Sequence, residues 1–239
     1  MRRAFQVHWE ILPEAQRRLW PELRPTVPLG LILYGGTAIA LRLGHRSSVD
    51  FNFFTDQPLD RIAIHTAFSF LNRAQVLQDQ PDTFTVLTPG SDPHDSPVKV
   101  SFFGAIGFGR VGEPEWTDDY VLQAASPDDL LATKLKVLLQ RVEAKDYQDI
   151  AALIKAGVSL DRGLAAAREM YGRAFQPSEC LKALVYFEGG DLDSLARPER
   201  ETLIQAVNTV RTLPTVKIVA HTLCWRLTDA TPPTDHATG

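Results

Sequence analysis

The chain of 239 residues lacks most of what marks the common catalytic and membrane classes. It has two cysteines, Cys180 and Cys224, neither in a CxxC pair nor beside a histidine cluster. That spacing provides no zinc ligand set and no disulfide framework, so two half-buried thiols in a reduced compartment are expected. No apolar run approaches the ~20 residues that cross a bilayer; the longest lies around Val27 to Tyr34. The N-terminal "MRRAFQVHWEILPEAQRRLW" has arginines but no apolar core of signal-peptide length, and a cytoplasmic location is expected. GxSxG, HExxH and the Walker lysine loop are all missing, which leaves serine-hydrolase, zinc-protease and P-loop chemistry without support. His8, His65, His94, His221 and His236 show no ligand spacing. Basic charge is not in excess either. The net charge is -4 and the pI about 5.9, so any nucleic-acid contact would depend on a local groove rather than the global balance.

What is present is a soluble globular composition, 44% hydrophobic and 23% charged. Residues 9 to 24 read as an amphipathic helix interrupted at Pro13. Leu29 to Tyr34 is an apolar run ending in Gly35-Gly36, which suits a buried strand and a tight turn. Thr37 to Leu43 is helical in composition, with Gly44 as its stop. Val49 to Phe54 is β-branched and aromatic. As a strand it places Asp50 and Asn52 on one face and Phe51 and Phe53 on the other. Ile62 to Gln75 reads as a helix, and "FTVLTPG" and "VKVSFFG" as an antiparallel pair joined by a polar loop at 89 to 97. Ser126-Pro127-Asp128-Asp129 is a helix start: an N-cap, a proline at the first position, and acids that complement the dipole. Helices are then expected at about 128 to 142, 146 to 156, 161 to 171, 178 to 187, 198 to 210 and 215 to 227, before a disordered tail at 229 to 239. The class is α+β.

One constellation points to chemistry. A Gly-Gly between strand and helix lets backbone amides approach a phosphate. A strand then presents polar groups two residues apart, as nucleotidyl transfer requires to hold Mg²⁺ against the reacting phosphate. Lys134 and Arg141 are spaced to share one helical stripe opposite Leu131, Leu135, Leu138 and Leu139, and Lys145 would join them if the helix continued. The same stripe is also what a solvated helix face looks like. Asp146 and Asp149 likewise fit the first turn of the next helix, and His45-Arg46 fits a surface turn.

The run "LYGGTAIALRLGHRSSVDFNFF" resembles the first motif of the AbiEii/AbiGii family of nucleotidyltransferase-like toxins, relatives of the DNA polymerase β superfamily. A second block, "SPDDLLATKLKVLLQRVEAKDYQDIAALI", resembles that family's Lys…Arg-x-x-x-Lys-Asp-x-x-Asp signature. The two blocks in this order cover roughly residues 25 to 155. The resemblance implies a nucleotidyltransferase-like core at 1-155, with a small mixed or antiparallel sheet flanked by helices; the helical pattern beyond it, which fits the family in general shape only, gives an all-helical region at 156-228. It implies that Gly35, Gly36 and Thr37 meet nucleotide phosphates and that Asp50, with Asn52, holds the metal. Lys134, Arg141 and Lys145 would neutralise phosphate charge, and Asp146 would complete the site. The cofactor implied is Mg²⁺, the substrate a nucleoside triphosphate, and the partners an acceptor such as RNA and a cognate antitoxin protein.

In that family the strand reads Asp-x-Asp; here it reads Asp50-Phe51-Asn52. Polymerase-like relatives add a third acid on a later strand, where "VKVSFFG" has Ser101 in line with Lys99 and Phe103. Two readings follow: a transferase with a weakened metal site, or a member that binds nucleotide or protein without turnover. A small-molecule nucleotidyltransferase of the antibiotic-modifying kind would use convergent acids in the helical part, where Glu179, Glu188, Asp191 and Asp193 form a weak cluster.

Overall fold

A computed structural model describes residues 3–89 and 96–225. The tail at 229 to 239, His94, His236 and most of the 89 to 97 loop therefore lie outside the described residues. The strands are β1 (Ala4–Phe5), β2 (Ile32–Tyr34), β3 (Asp50–Phe54), β4 (Gln75–Gln80), β5 (Thr83–Thr88), β6 (Val98–Phe103), β7 (Glu115–Thr117) and β8 (Gln123–Ala124). The helices are α1 (Glu14–Leu19), α2 (Gly35–Leu43), α3 (Arg61–Ala67), α4 (Pro127–Leu138), α5 (Ala144–Lys155), α6 (Leu160–Tyr171), α7 (Pro177–Leu184) and α8 (Arg197–Thr209).

The fold is α+β, on one mixed sheet of order β1-β7-β8-β2-β3-β6-β5-β4. At its centre β2 and β3 are antiparallel, with Tyr34 opposite Asn52, and β3 and β6 are parallel, with Asp50 opposite Lys99 and Asn52 opposite Ser101. The burial of β3 alternates as expected: Phe51 and Phe53 are fully enclosed, while Asp50, Asn52 and Phe54 face a cleft. Phe51, Phe53, Phe102, Phe68 and Phe84 form a continuous aromatic layer under the sheet, with ring centroids 5.3–6.3 Å apart from neighbour to neighbour.

Helix α4 begins as its sequence predicts. Ser126 Oγ accepts the Asp129 amide, and Pro127 occupies the first helical position. The helix packs α6 on its apolar side at Gly163, where a Cβ would overlap Leu131. Both thiols are free and fully buried, not half-buried, and burial pushes the Cys180 thiol up to about 12.

Four expectations about elements need correction. The helix at 9 to 24 is three pieces: 3-10 turns at Trp9–Ile11 and Trp20–Thr26 flank α1, because Pro13 is extended before Glu14 and Pro21 and Pro25 follow. The helix at 62 to 75 stops at Ala67, where extended Phe68 turns its ring into the aromatic layer; Gln75 then begins β4, an edge strand exposed along its length. The sheet is larger than anticipated, since β1, β4, β7 and β8 are all additional to the expected strands. Finally, the described part of 215 to 227 is not helical. It runs back across the molecule, with the Arg110 amide bonded to Ala220 O and the Val219 amide to Arg110 O, both at 2.9 Å.

Candidate active site

The site is built where β2 hands over to α2. Gly35 adopts φ +78°, which a side chain rarely tolerates, and turns the chain into α2 beside Asn52. Tyr34 caps α2 without a side-chain hydrogen bond, so the cap gives no side-chain partner to the first-turn amides of Gly35, Gly36 and Thr37, residues that line the cleft. The Thr37 hydroxyl is buried. It bonds Ser48 Oγ at 2.7 Å and donates to the Asp50 carbonyl, pinning α2 to β3. Gly44, at φ +64°, closes the other end of α2, and the chain returns through His45 and Arg46 to β3.

That return is not a surface turn. Arg46 clamps Asp149 with two bonds, Nε to Oδ1 at 2.7 Å and Nη2 to Oδ2 at 2.8 Å, and His45 Nε2 lies 2.8 Å from Oδ1. Gly36 is required for this clamp, because a Cβ there would overlap the Arg46 guanidinium. Lys134 is not a solvated stripe residue either. It is 6% exposed, and its Nζ sits 2.7 Å from Asp146 Oδ1 and 2.6 Å from Asp149 Oδ2. Helix α4 ends at Leu138, so Arg141 and Lys145 do not continue its stripe. Arg141 instead folds back from the turn onto Asp146, with bonds at 2.8 and 3.2 Å. Lys145 pairs with Glu143 at the rim.

The electrostatics follow from this packing. Burial pushes the Asp149 carboxyl up, but hydrogen bonds from His45 and Arg46 and the charges of Lys134 and Arg46 outweigh it, holding the group below the usual carboxylate range. Asp146 is lowered in the same way, with burial opposed by Arg141 and Lys134. Both carboxylates are therefore saturated by cations. Their action on a ligand is to fix Lys134, Arg46 and Arg141 in place. A lysine has three N–H donors, and Lys134 spends two on carboxylates, so one is left for the cleft it lines.

The cleft has two lobes that share Gly36, Asn52, Lys134 and Arg141. A polar lobe of about 240 Å³ is lined by Arg46, Ser47, Asp50, Lys99 and Lys145. An aromatic lobe of about 430 Å³ is lined by Tyr34, Phe54, Phe103, Val137 and Tyr171. Tyr34 and Phe54 stack at 4.8 Å and 13°, and Phe103 meets Phe54 edge-on at 5.2 Å. On the floor of the polar lobe, Asp50 Oδ2 pairs with Lys99 Nζ at 2.9 Å.

The sequence matches the family described as nucleotidyl transferase AbiEii toxin, Type IV TA system, over residues 23–221. The chain belongs to this family. A relative from Aquifex aeolicus, an uncharacterized protein, is 33% identical over 173 residues, covering 70% of this chain and 80% of that one. Solved structures with the same fold include a putative nucleotidyltransferase from H. pylori, with TM-score 0.52, 17% identity, and 80% of this chain and 92% of that chain covered. MenT4, a nucleotidyltransferase toxin from Mycobacterium tuberculosis, gives TM-score 0.52 at 13% identity, covering 80% of this chain and 82% of that chain. An antigenic nucleotidyltransferase-like protein from Paracoccidioides brasiliensis gives 0.51 at 16% identity, with 81% and 93% covered. As an AbiEii-family member the chain is of a nucleotidyltransferase toxin type, and the toxin–antitoxin class implies an antitoxin partner. No helix among the described residues is long and apolar enough to cross a membrane.

Sequence reasoning named Asp50, Asn52, Gly35, Gly36, Thr37, Lys134, Arg141, Lys145 and Asp146, and all of them lie at the cleft or directly behind it. It read His45-Arg46 as a surface turn, named Lys99 only as in line with Ser101, gave the aromatic wall no role, and left Asp149 as a helix-dipole partner. The i,i+3 spacing of Asp146 and Asp149 was a usable signal for a shared face. Nothing local signalled Arg46 or Lys99.

Nucleotidyltransferases generally work with a divalent metal. Among the described residues no group of three or more His, Cys, Asp and Glu could hold a metal ion. The donors at hand are the Asp50 carboxylate, part-exposed and paired with the part-exposed Lys99, and the Asn52 amide oxygen, since Asp146 and Asp149 are fully enclosed with their cations. Mg²⁺ is commonly held by one or two carboxylates plus substrate phosphates and water. This donor set fits a single Mg²⁺ arriving with a nucleotide.

Proposed function

We propose that this protein transfers a nucleotide from a Mg-bound nucleoside triphosphate to an acceptor hydroxyl, with RNA as the acceptor class. The observation that supports it is the two-lobed cleft: backbone amides of a helix start, Asp50 and fixed cations on one side, stacked rings on the other. The triphosphate takes the polar lobe, against the amides of Gly35, Gly36 and Thr37, with Lys134, Arg141 and Lys145 opposing its charge. The base takes the aromatic lobe, which Tyr34, Phe54, Phe103 and Tyr171 line. Tyr171 lies on α6, so the helical unit from residue 156 onward contributes to a site otherwise built by the core to residue 155.

In the reaction the acceptor oxygen bonds to the α-phosphorus, the α–β bridging P–O bond breaks, and pyrophosphate leaves with that bond's electron pair. The hydroxyl proton passes to water. Asp50 and Asn52 would hold Mg²⁺, which when bound offsets charge on the transferring phosphate. Asp146 and Asp149 position Lys134, Arg46 and Arg141 and take no proton, since surrounding cations keep both ionised.

Incubation of wild type and Asp50→Ala with each labelled triphosphate and total bacterial RNA tests this. Label entering RNA with wild type alone supports the assignment; equal labelling by Asp50→Ala removes Asp50 from the site. A second reading, nucleotide binding without turnover, draws on Asn52 and the Asp50–Lys99 pair, which leave the floor without surplus negative charge. Asn52→Asp separates the two, raising transfer in a weakened enzyme and leaving a pure binder inert.

A further inference from the structure

We propose that Lys99 is the resident counter-ion of Asp50, occupying the place of a metal until an anionic substrate draws it away. The parallel register sets Lys99 directly beside Asp50 and Ser101 beside Asn52. Ser101 is buried and accepts a hydrogen bond from the Thr85 hydroxyl at 3.1 Å, so the floor gains no charge from it. Asn52 is neutral as well. Among the described residues Asp50 is the only carboxylate that lines the floor, and it is matched by Lys99 at 2.9 Å, so the pair carries no net formal charge. The two acids behind it are held by Lys134, Arg46 and Arg141.

A free Mg²⁺ sheds its water reluctantly. To reach Asp50 it must also displace an ammonium already bonded there, with no second carboxylate to compensate. A triphosphate changes the balance, because it offers its own oxygens to the metal and an anionic partner to Lys99. The lysine is suited to such an exchange. Its side chain is 41% exposed, a compact charge on a flexible stem, and it lines the same lobe as Lys134 and Lys145. Metal and nucleotide therefore bind as a coupled pair, each raising the other's affinity by the same factor. The exchange rests on the nucleotide reading proposed above; the blocking of Asp50 by Lys99 does not.

The test is Mn²⁺ binding, read by electron paramagnetic resonance of the free ion. The proteins are full-length wild type, Lys99→Gln, Lys99→Arg and Asp50→Asn, each with and without an α,β-methylene triphosphate analogue. Wild type is expected to bind Mn²⁺ weakly alone and at least about tenfold more tightly with the analogue. Lys99→Gln should gain about tenfold in analogue-free Mn²⁺ affinity and lose most of the coupling. Lys99→Arg should remain close to wild type, and Asp50→Asn should lose the analogue-free Mn²⁺ site and, with the analogue, hold no more Mn²⁺ than the analogue's own oxygens bind. Equal analogue-free binding by wild type and Lys99→Gln overturns the proposal, as does tight binding by wild type alone. If Lys99→Gln gains Mn²⁺ affinity but the analogue binds none of the proteins, the counter-ion stands and the nucleotide reading falls.

Discussion

Replacing Asp149 with asparagine removes one charge from the centre of the buried ionic cluster. The carboxylate takes bonds from His45, Arg46 and Lys134, with N···O distances between 2.6 and 2.8 Å, and is fully enclosed. An amide can accept from one or two of these donors and must turn its own N–H groups toward cations. Removing one partner of a buried pair costs about 3–5 kcal/mol, against a total stability of about 5–15 kcal/mol for a typical domain. For a chain of this size about 2–4 °C of Tm is lost per kcal/mol, so the expected fall is about 6–20 °C. Thermal and urea unfolding followed by circular dichroism would measure it. The acid limb provides a second readout. Because Asp149 is held below its ordinary range, its contribution is present above the unfolded carboxylate pKa and is lost as pH falls below it. The variant should therefore lose stability less steeply in acid than wild type. Gly36→Ala, which displaces Arg46 from the same carboxylate, should be less than additive with Asp149→Asn. A loss below about 1 kcal/mol for Asp149→Asn, or full additivity of the pair, would refute the cluster as the element that fixes the cations.

Phe54→Ala should weaken nucleoside triphosphate binding about 5- to 150-fold, the loss of a base–ring stack worth about 1–3 kcal/mol. Inorganic triphosphate affinity should stay within about twofold, since stacking contributes nothing to it; isothermal calorimetry with the two ligands separates the lobes. Asp129 behaves oppositely to Asp149. Burial raises its carboxyl to about 6 despite hydrogen bonds from Ser126 and the Val111 and Gly112 amides. Its contribution is then complete below the unfolded carboxylate pKa and lost as pH rises through about 6. Wild type should accordingly lose stability relative to Asp129→Asn, on the order of 3 kcal/mol, between pH 4 and 7 in urea titrations. A pH-independent difference between the two would argue against a strained carboxylate at that position.

By itself the sequence determined the features that depend on near neighbours. The apolar run into Gly35-Gly36 determined a strand, a turn and a helix start. The two-residue alternation of "DFNFF" determined that Asp50 and Asn52 share a face. Ser126-Pro127 determined where α4 begins, and the same blocks were enough to indicate the family. Where local pattern and tertiary demand disagreed, the pattern failed. The segment at 62 to 75 has helical composition, yet α3 stops at Ala67 and extended Phe68 joins the aromatic layer. Residues 215 to 225 form no helix, and Arg110 offers their backbone a partner far along the chain. The charges of the site were decided the same way. Arg46 reaches Asp149 across 103 positions of sequence, and Lys99 reaches Asp50 only because β6 lies parallel to β3 in one register. A lysine opposite a row of leucines is solvated or buried according to what packs over it, and here two helical aspartates close on Lys134. Periodicity carries the direction of a side chain relative to its own element. Which opposite charge it meets depends on long-range packing, and only the tertiary structure decides that.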